Sequence, residues 1–299
     1  WEMSDAVIVD RGYRSYEGAR RGRRGAFAAV VREGVRRELG LRRKASRKIL
    51  PWLLISMALI SMAVVVGLHW AVQRFGVSGL VASQLPSYGQ YFDTIATISM
   101  LFVAFATPQL LIPDRREGVL AVYFSRPLLP VDYLGAKYTA LGLLVMGFYL
   151  VPEFVLHIAL AALSPDGFFS YLGSNLDVIW KIVFVAFVFF VAYASIAFIV
   201  SALVGRTGIA AGVFLGIMII FNQIVSAVVR LATFPGARYA GLLAVQEQPR
   251  VVRDWVFGIS TGDYAASTAG FEPWVSLVAI GIIFVAVAGI VWDRYRRLS

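Results

Sequence analysis

From Ile49 to Trp70 the chain runs for 22 residues without a charged side chain (ILPWLLISMALISMAVVVGLHW). As a helix that stretch is roughly 33 Å long, the thickness of a bilayer's hydrocarbon core. Hydrocarbon offers no partners to backbone N–H and C=O groups, so a segment of this kind satisfies them internally, as a helix. Five more strongly apolar runs follow, at 93–113, 138–163, 178–204, 209–231 and 273–292, and the sequence therefore predicts an all-α, polytopic membrane protein with six transmembrane helices. With 59% hydrophobic residues, 15% charged and a mean hydropathy of +0.73, the 299 residues carry more apolar surface than one soluble core can hide.

The placement of charge orients the bundle. Residues 1–48 hold 14 of the 28 Lys and Arg, all ahead of the first apolar run. With both termini inside, the cytosolic segments collect 22 of them, leaving Arg74, Lys181, Arg230, Arg238, Arg250 and Arg253 outside. Orientation follows this bias, so both ends are expected in the cytosol. Residues 1–25 read as an irregular basic arm rather than a cleavable signal peptide, whose apolar core would be shorter and nearer its charges. From Ala26 to Lys48 the pattern changes: Phe27, Val31, Val35 and Leu39 recur every fourth residue, while Arg32, Arg36, Arg37, Arg42 and Arg43 take other positions. That spacing predicts an amphipathic helix in the headgroup layer, or a basic helix docked on a partner protein. The expected domains are 1–48, the basic arm with this helix, and 49–299, the six-span body. A basic arm beside a membrane finds its partner in anionic lipid, so no nucleic-acid partner is expected. The 24 Arg against 4 Lys suggest a GC-rich bacterial genome, hence a bacterial cytoplasmic (inner) membrane.

Several chemistries are excluded. With no cysteine and only His69 and His157, neither a thiolate nor a histidine metal site is expected. No nucleophile stands beside a base and no G-x-x-x-x-G-K-[ST] phosphate loop occurs, so the chain is not expected to be an enzyme or to hold a cofactor.

The most patterned stretch lies between the second and third apolar runs. Asp114–Lys137 (DRREGVLAVYFSRPLLPVDYLGAK) carries Arg115, Arg116, Arg126 and Lys137, which puts it on the cytosolic side. Val119–Phe124 is expected to form a short amphipathic helix closed by Ser125-Arg126-Pro127, since a proline disfavours helical geometry at the residue before it. Two apolar spans flanking a loop of charged-charged-Glu-Gly, a short apolar run, Ser-Arg-Pro-Leu and a Gly near a Lys resemble the membrane subunit of ABC-2 type transporters. The matching residues are Arg115, Arg116, Glu117, Gly118, Leu120, Ser125, Arg126, Pro127, Leu128, Tyr133, Leu134, Gly135 and Lys137; Val119 stands where the family often has Thr, and Ala136 separates Gly135 from Lys137. The resemblance implies that this loop is a coupling helix docking into a separate ATPase subunit. It further implies two ATPase copies, which would bind the ATP and Mg, a second permease copy or homologous permease, and re-entrant helices between spans five and six. There, Gly241–Val245 and Val251–Ile259 are apolar patches too short to span, with Trp255, Phe257 and Tyr264 as interfacial aromatics.

Polar residues within the spans mark a possible substrate path. Glu153 and His157 share one helical face, four residues apart, and can hydrogen-bond; an intramembrane carboxylate is by default a functional suspect. Asn222 and Gln223 in span five are placed to join helices or line a cavity, Gly208, Gly212 and Gly216 to let helices approach, and Pro108 to kink span two. The function expected is the permease subunit of an ATP-driven exporter. The alternatives are a proton-coupled carrier centred on Glu153 and His157, or an accessory or scaffold subunit.

Overall fold

The computed structural model describes residues 22–41, 46–76, 85–125, 128–232, 234 and 236–297. The basic arm up to residue 21, Arg42, Arg43, Arg126 and Pro127 lie outside the described residues. Every regular element among those described is helical. Six helices are long and apolar enough to cross a membrane: α2 (Ser46–Phe75), α3 (Tyr88–Arg116), α5 (Pro130–Leu163), α7 (Leu176–Leu203), the composite span at Thr207–Leu231, and α12 (Pro273–Arg296). Between them come α4 (Leu120–Phe124) and α6 (Phe168–Ser174), and ahead of them α1 (Gly22–Glu38). This is the architecture of a polytopic membrane protein.

α2 and α3 overrun their apolar segments at both ends, and α5 at its start. α3 starts five residues before Asp93 because Ser87 caps it: its hydroxyl accepts from the Gln90 N–H while the Gln90 side chain accepts from the Ser87 N–H at 2.9 Å. α5 starts at Pro130 rather than Tyr138, with the proline in the first turn and the Asp132 carboxylate accepting from the Leu129 N–H at 3.0 Å. α3 runs through Pro108 and Pro113 as one helix.

α3 and α7 form the middle of the bundle, with 78% and 67% of their apolar windows buried against 17% for α2. Where α3, α5 and α7 meet, Phe92, Tyr149 and Phe189 stack with centroids 5.6–6.2 Å apart. Span five is not a uniform α-helix: α8 (Thr207–Leu215) passes through a π-helical turn, Gly216–Phe221, into α9 (Asn222–Leu231). A Cβ added at Gly208, Gly212 or Gly216 would meet nothing within 4 Å, so these glycines face away from the chain's own helices.

Two ends of the bundle differ in character. The basic end carries α1, α4 and the C-terminus of α12. The opposite end carries a lobe: a 3-10 helix (Ala237–Leu243), α10 (Gln248–Phe257) and α11 (Ala265–Thr268). α10 packs on α3, α7 and α12, burying Val251, Val252, Arg253 and Asp254.

α1 departs from the expected pattern. It docks on α5 and α3, and its buried line is Val30, Gly34 and Glu38, with Phe27 and Val31 only partly covered beside it. A Cβ on Gly34 would lie 2.8 Å from the Ala140 Cβ, so only glycine permits so close a seat.

Candidate functional site: the connection between α3 and α5

α3 ends in a glycine turn. The Gly118 N–H donates to the Arg115 carbonyl and the Val119 N–H to the Asp114 carbonyl, the paired bonds of a Schellman motif, and Gly118 sits at φ +68°. α4 then begins at Leu120, which is buried, while Arg116, Glu117, Gly118, Ala121, Val122 and Ser125 are exposed. The other side of α4 rests on Tyr133 of α5, with the rings of Tyr123 and Phe124 5.6 and 6.2 Å from it. Burial of Tyr123 raises its hydroxyl pKa above the ordinary tyrosine value, so the group is neutral.

Beneath α4 lies an ionic footing. The Asp114 carboxylate faces Arg37 of α1 at 2.5 Å and Lys137 of α5 at 2.6 Å, and accepts from the Tyr133 hydroxyl at 3.0 Å. The Lys137 side chain is only 2% exposed. Burial alone would depress the Arg37 pKa, but the bonded Asp114 outweighs it and holds the guanidinium above its ordinary value. Tyr133 also stacks on Tyr295 near the end of α12 at 5.9 Å. One cluster thus joins α1, α3, α5 and α12 under α4. A second, more exposed tie runs from Arg23 of α1 to Asp132 through two bonds of 2.7 Å.

The residues singled out in this loop fall into distinct places. Arg115 turns inward and donates to the carbonyls of Ala202 and Val204, satisfying the C-terminal end of α7. Arg116, Glu117 and Ser125 face outward, Leu120 anchors α4, and Gly118 makes the turn. Asp114, Arg37, Tyr133 and Tyr295 were not assigned this joint role from sequence. The usable signal was an acid at the very end of an apolar run with a lysine opposite, since a carboxylate there requires a partner.

The polar residues of the spans are less united. Glu153 is fully buried with neither oxygen bonded, and the expected bond to His157 is not made. His157 Nδ1 instead lies 2.8 Å from the Tyr88 hydroxyl, which lies 3.0 Å from that of Tyr171. Asn222 and Gln223 separate: Gln223 is exposed, whereas Asn222 donates to Glu247 at 2.8 Å. Glu247 also accepts from the Ser226 hydroxyl at 3.1 Å and the Ala265 N–H at 2.6 Å, locking α9 to the lobe. Higher in the lobe, Arg253 forms ion pairs of 2.5 Å with Asp93 and with Asp254, which hold its guanidinium above its ordinary pKa against the effect of burial. Among the described residues no group of three or more His, Cys, Asp or Glu is placed to hold a metal ion. No protein-family model and no curated protein matches the chain.

Proposed function

We propose that this chain is the membrane-spanning permease subunit of an ATP-driven ABC-2 type transporter, an exporter that works by alternating access and takes its work from a separate ATPase subunit. The observation that carries the reading is the footing of α4. A short exposed helix stands on Tyr133, and Tyr133 is bonded to the carboxylate that binds α1 and α5 together. Packed interiors resist compression, so a push on the outward residues Arg116, Glu117, Val122 and Ser125 passes to four helices at once rather than being absorbed by a loop. Rigid-body rocking of the bundle is the corresponding response.

In this reading two ATPase copies bring the ATP and Mg, and a second permease copy or a homologue completes the pathway. The basic end faces the cytosol of a bacterial inner membrane with both termini, and α10 dips into the outer leaflet as a re-entrant helix. The burial of α10 against α3, α7 and α12 supports the last point, because non-helical backbone at membrane depth needs protein cover.

The test is purification in mild detergent followed by transport in reconstituted vesicles. Expected are a co-purifying ATPase and, in Glu117→Ala and Arg126→Ala, ATP turnover that no longer drives transport. Normal transport in both variants, or isolation free of any ATPase under conditions that preserve other complexes, contradicts the proposal.

A further inference from the structure

Among the described residues, Glu153 is a buried carboxyl that neither the coupling scheme nor the lobe's polar contacts use. Glu153 is 0% exposed, neither of its oxygens has a partner, and no salt bridge among the described residues reaches it. An isolated carboxylate in such a place is strongly disfavoured, so the group either carries a proton or must acquire one. Its surroundings are built for moving one. The titratable groups around it are Tyr88 and Tyr91 of α3, His157 of its own helix and, beyond Tyr88, Tyr171 of α6; neither α2 nor α7 brings a charge to it. The Tyr91 hydroxyl is committed to the Ala58 carbonyl at 2.9 Å. The other three form a chain from the half-buried Tyr171 through Tyr88 to His157 Nδ1, and His157 Nε2 is left without a partner. Glu153 lies one helical turn deeper on the same face of α5, about 15 Å below the lobe end of that helix. This leaves a free imidazole nitrogen and a free carboxyl on adjacent turns of one helix face.

We propose that Glu153 is a proton-binding site loaded from the lobe end through Tyr171, Tyr88 and His157. Each step moves one proton. Tyr171 donates its hydroxyl proton to the Tyr88 oxygen as it takes one from solvent, Tyr88 donates to His157 Nδ1, and His157 releases its Nε2 proton to the Glu153 carboxylate. The net change is one proton from solvent and one carboxylate made neutral; the hydroxyls keep their proton count, and His157 is left as its other neutral tautomer, protonated on Nδ1, which must reset before a second proton can pass. The site stands apart from the ATPase reading, since it belongs to this chain alone.

Infrared spectroscopy of the full chain in lipid nanodiscs, with glutamate carrying a carbon-13 side-chain carboxyl, tests it without the partner. At neutral pH the wild type is expected to show the C=O stretch of a protonated, labelled carboxylic acid, and Glu153→Gln to lose it. His157→Phe leaves the carboxyl in place and is expected to keep the band while slowing its shift in deuterated buffer by roughly a hundredfold, the usual loss when a positioned proton carrier is removed. Tyr88→Phe is expected to slow it as well. The proposal is overturned if the wild type shows no such band, if the band survives in Glu153→Gln, or if deuterium enters His157→Phe at the wild-type rate.

Discussion

Asp114→Asn isolates the footing of α4. The substitution keeps the side chain's shape and removes its charge, leaving Arg37 and Lys137 without the counter-ion they hold at 2.5 and 2.6 Å. Breaking a buried ion pair from one side costs about 3–5 kcal/mol. Lys137 sits within α5 and cannot reach water, whereas Arg37 can do so if α1 lifts off, so α1 is the element that yields. A loss of that size shifts the docking equilibrium of α1 by roughly 150-fold to 5,000-fold. Limited trypsin digestion in nanodiscs reads this shift at Arg37, because cleavage slower than redocking follows the population of the undocked state. Expected is faster cleavage at Arg37 in Asp114→Asn, by about a hundredfold or more, with partial recovery in Asp114→Asn/Lys137→Met, where one of the stranded cations is gone. Arg23→Ala supplies the contrast, since its ion pair with Asp132 is open to solvent and screened by it, and cleavage is expected to stay near the wild-type rate. Cleavage at the wild-type rate in Asp114→Asn would refute the claim that this carboxylate holds α1 to the bundle.

Other outcomes follow from single contacts. Gly118→Ala places a Cβ at φ +68° and is expected to destabilise the α3–α4 turn by about 1–2 kcal/mol, read as a lower melting temperature and weaker coupling. Gly34→Leu is expected to undock α1 in the same trypsin assay, because even a Cβ there would stand 2.8 Å from that of Ala140. Glu247→Leu strands the Asn222 amide, the Ser226 hydroxyl and the Ala265 N–H, each at about 1–3 kcal/mol, and should lower the melting temperature markedly. Gln223→Leu, at the adjacent exposed position, should change the stability of the isolated chain by less than about 0.5 kcal/mol.

The spans were readable because hydrocarbon imposes one solution on a long apolar run, and each of the six apolar segments coincides with a helix of spanning length, α7 stopping one residue short at Leu203. Their ends were not, because hydropathy counts the polar turns at Tyr88–Phe92 and Pro130–Lys137 as loop. The local signals were present: Ser87 with Gln90 is a capping box, and Pro130 with Asp132 a helix start. The seat of α1 was misread for a different reason. Its buried line runs through a glycine and a glutamate, Gly34 and Glu38, and a search for periodic large apolar residues passes over both. Spacing also misled at the polar sites. Glu153 and His157 do share a face, but Tyr88 from another helix takes the imidazole nitrogen, a partner 69 positions away in the chain. Asn222 and Gln223 are consecutive, and consecutive helical residues point in different directions, so only one could join the buried network. In the loop, the short helix was legible as local chemistry; the ionic footing was not, because its members come from separate helices.

What α4 touches in the cell decides whether it is a coupling helix. The chain has no cysteine, so Val122→Cys creates a single thiol on the exposed side of α4. Cross-linking from that thiol in intact bacterial cells, with a membrane-permeant reagent, should yield an adduct whose peptides include an ATPase with a phosphate-binding loop, and a membrane-impermeant maleimide added outside should leave the thiol unlabelled. Labelling by the impermeant reagent, or an absence of any ATPase adduct in cells where transport is active, would contradict that role.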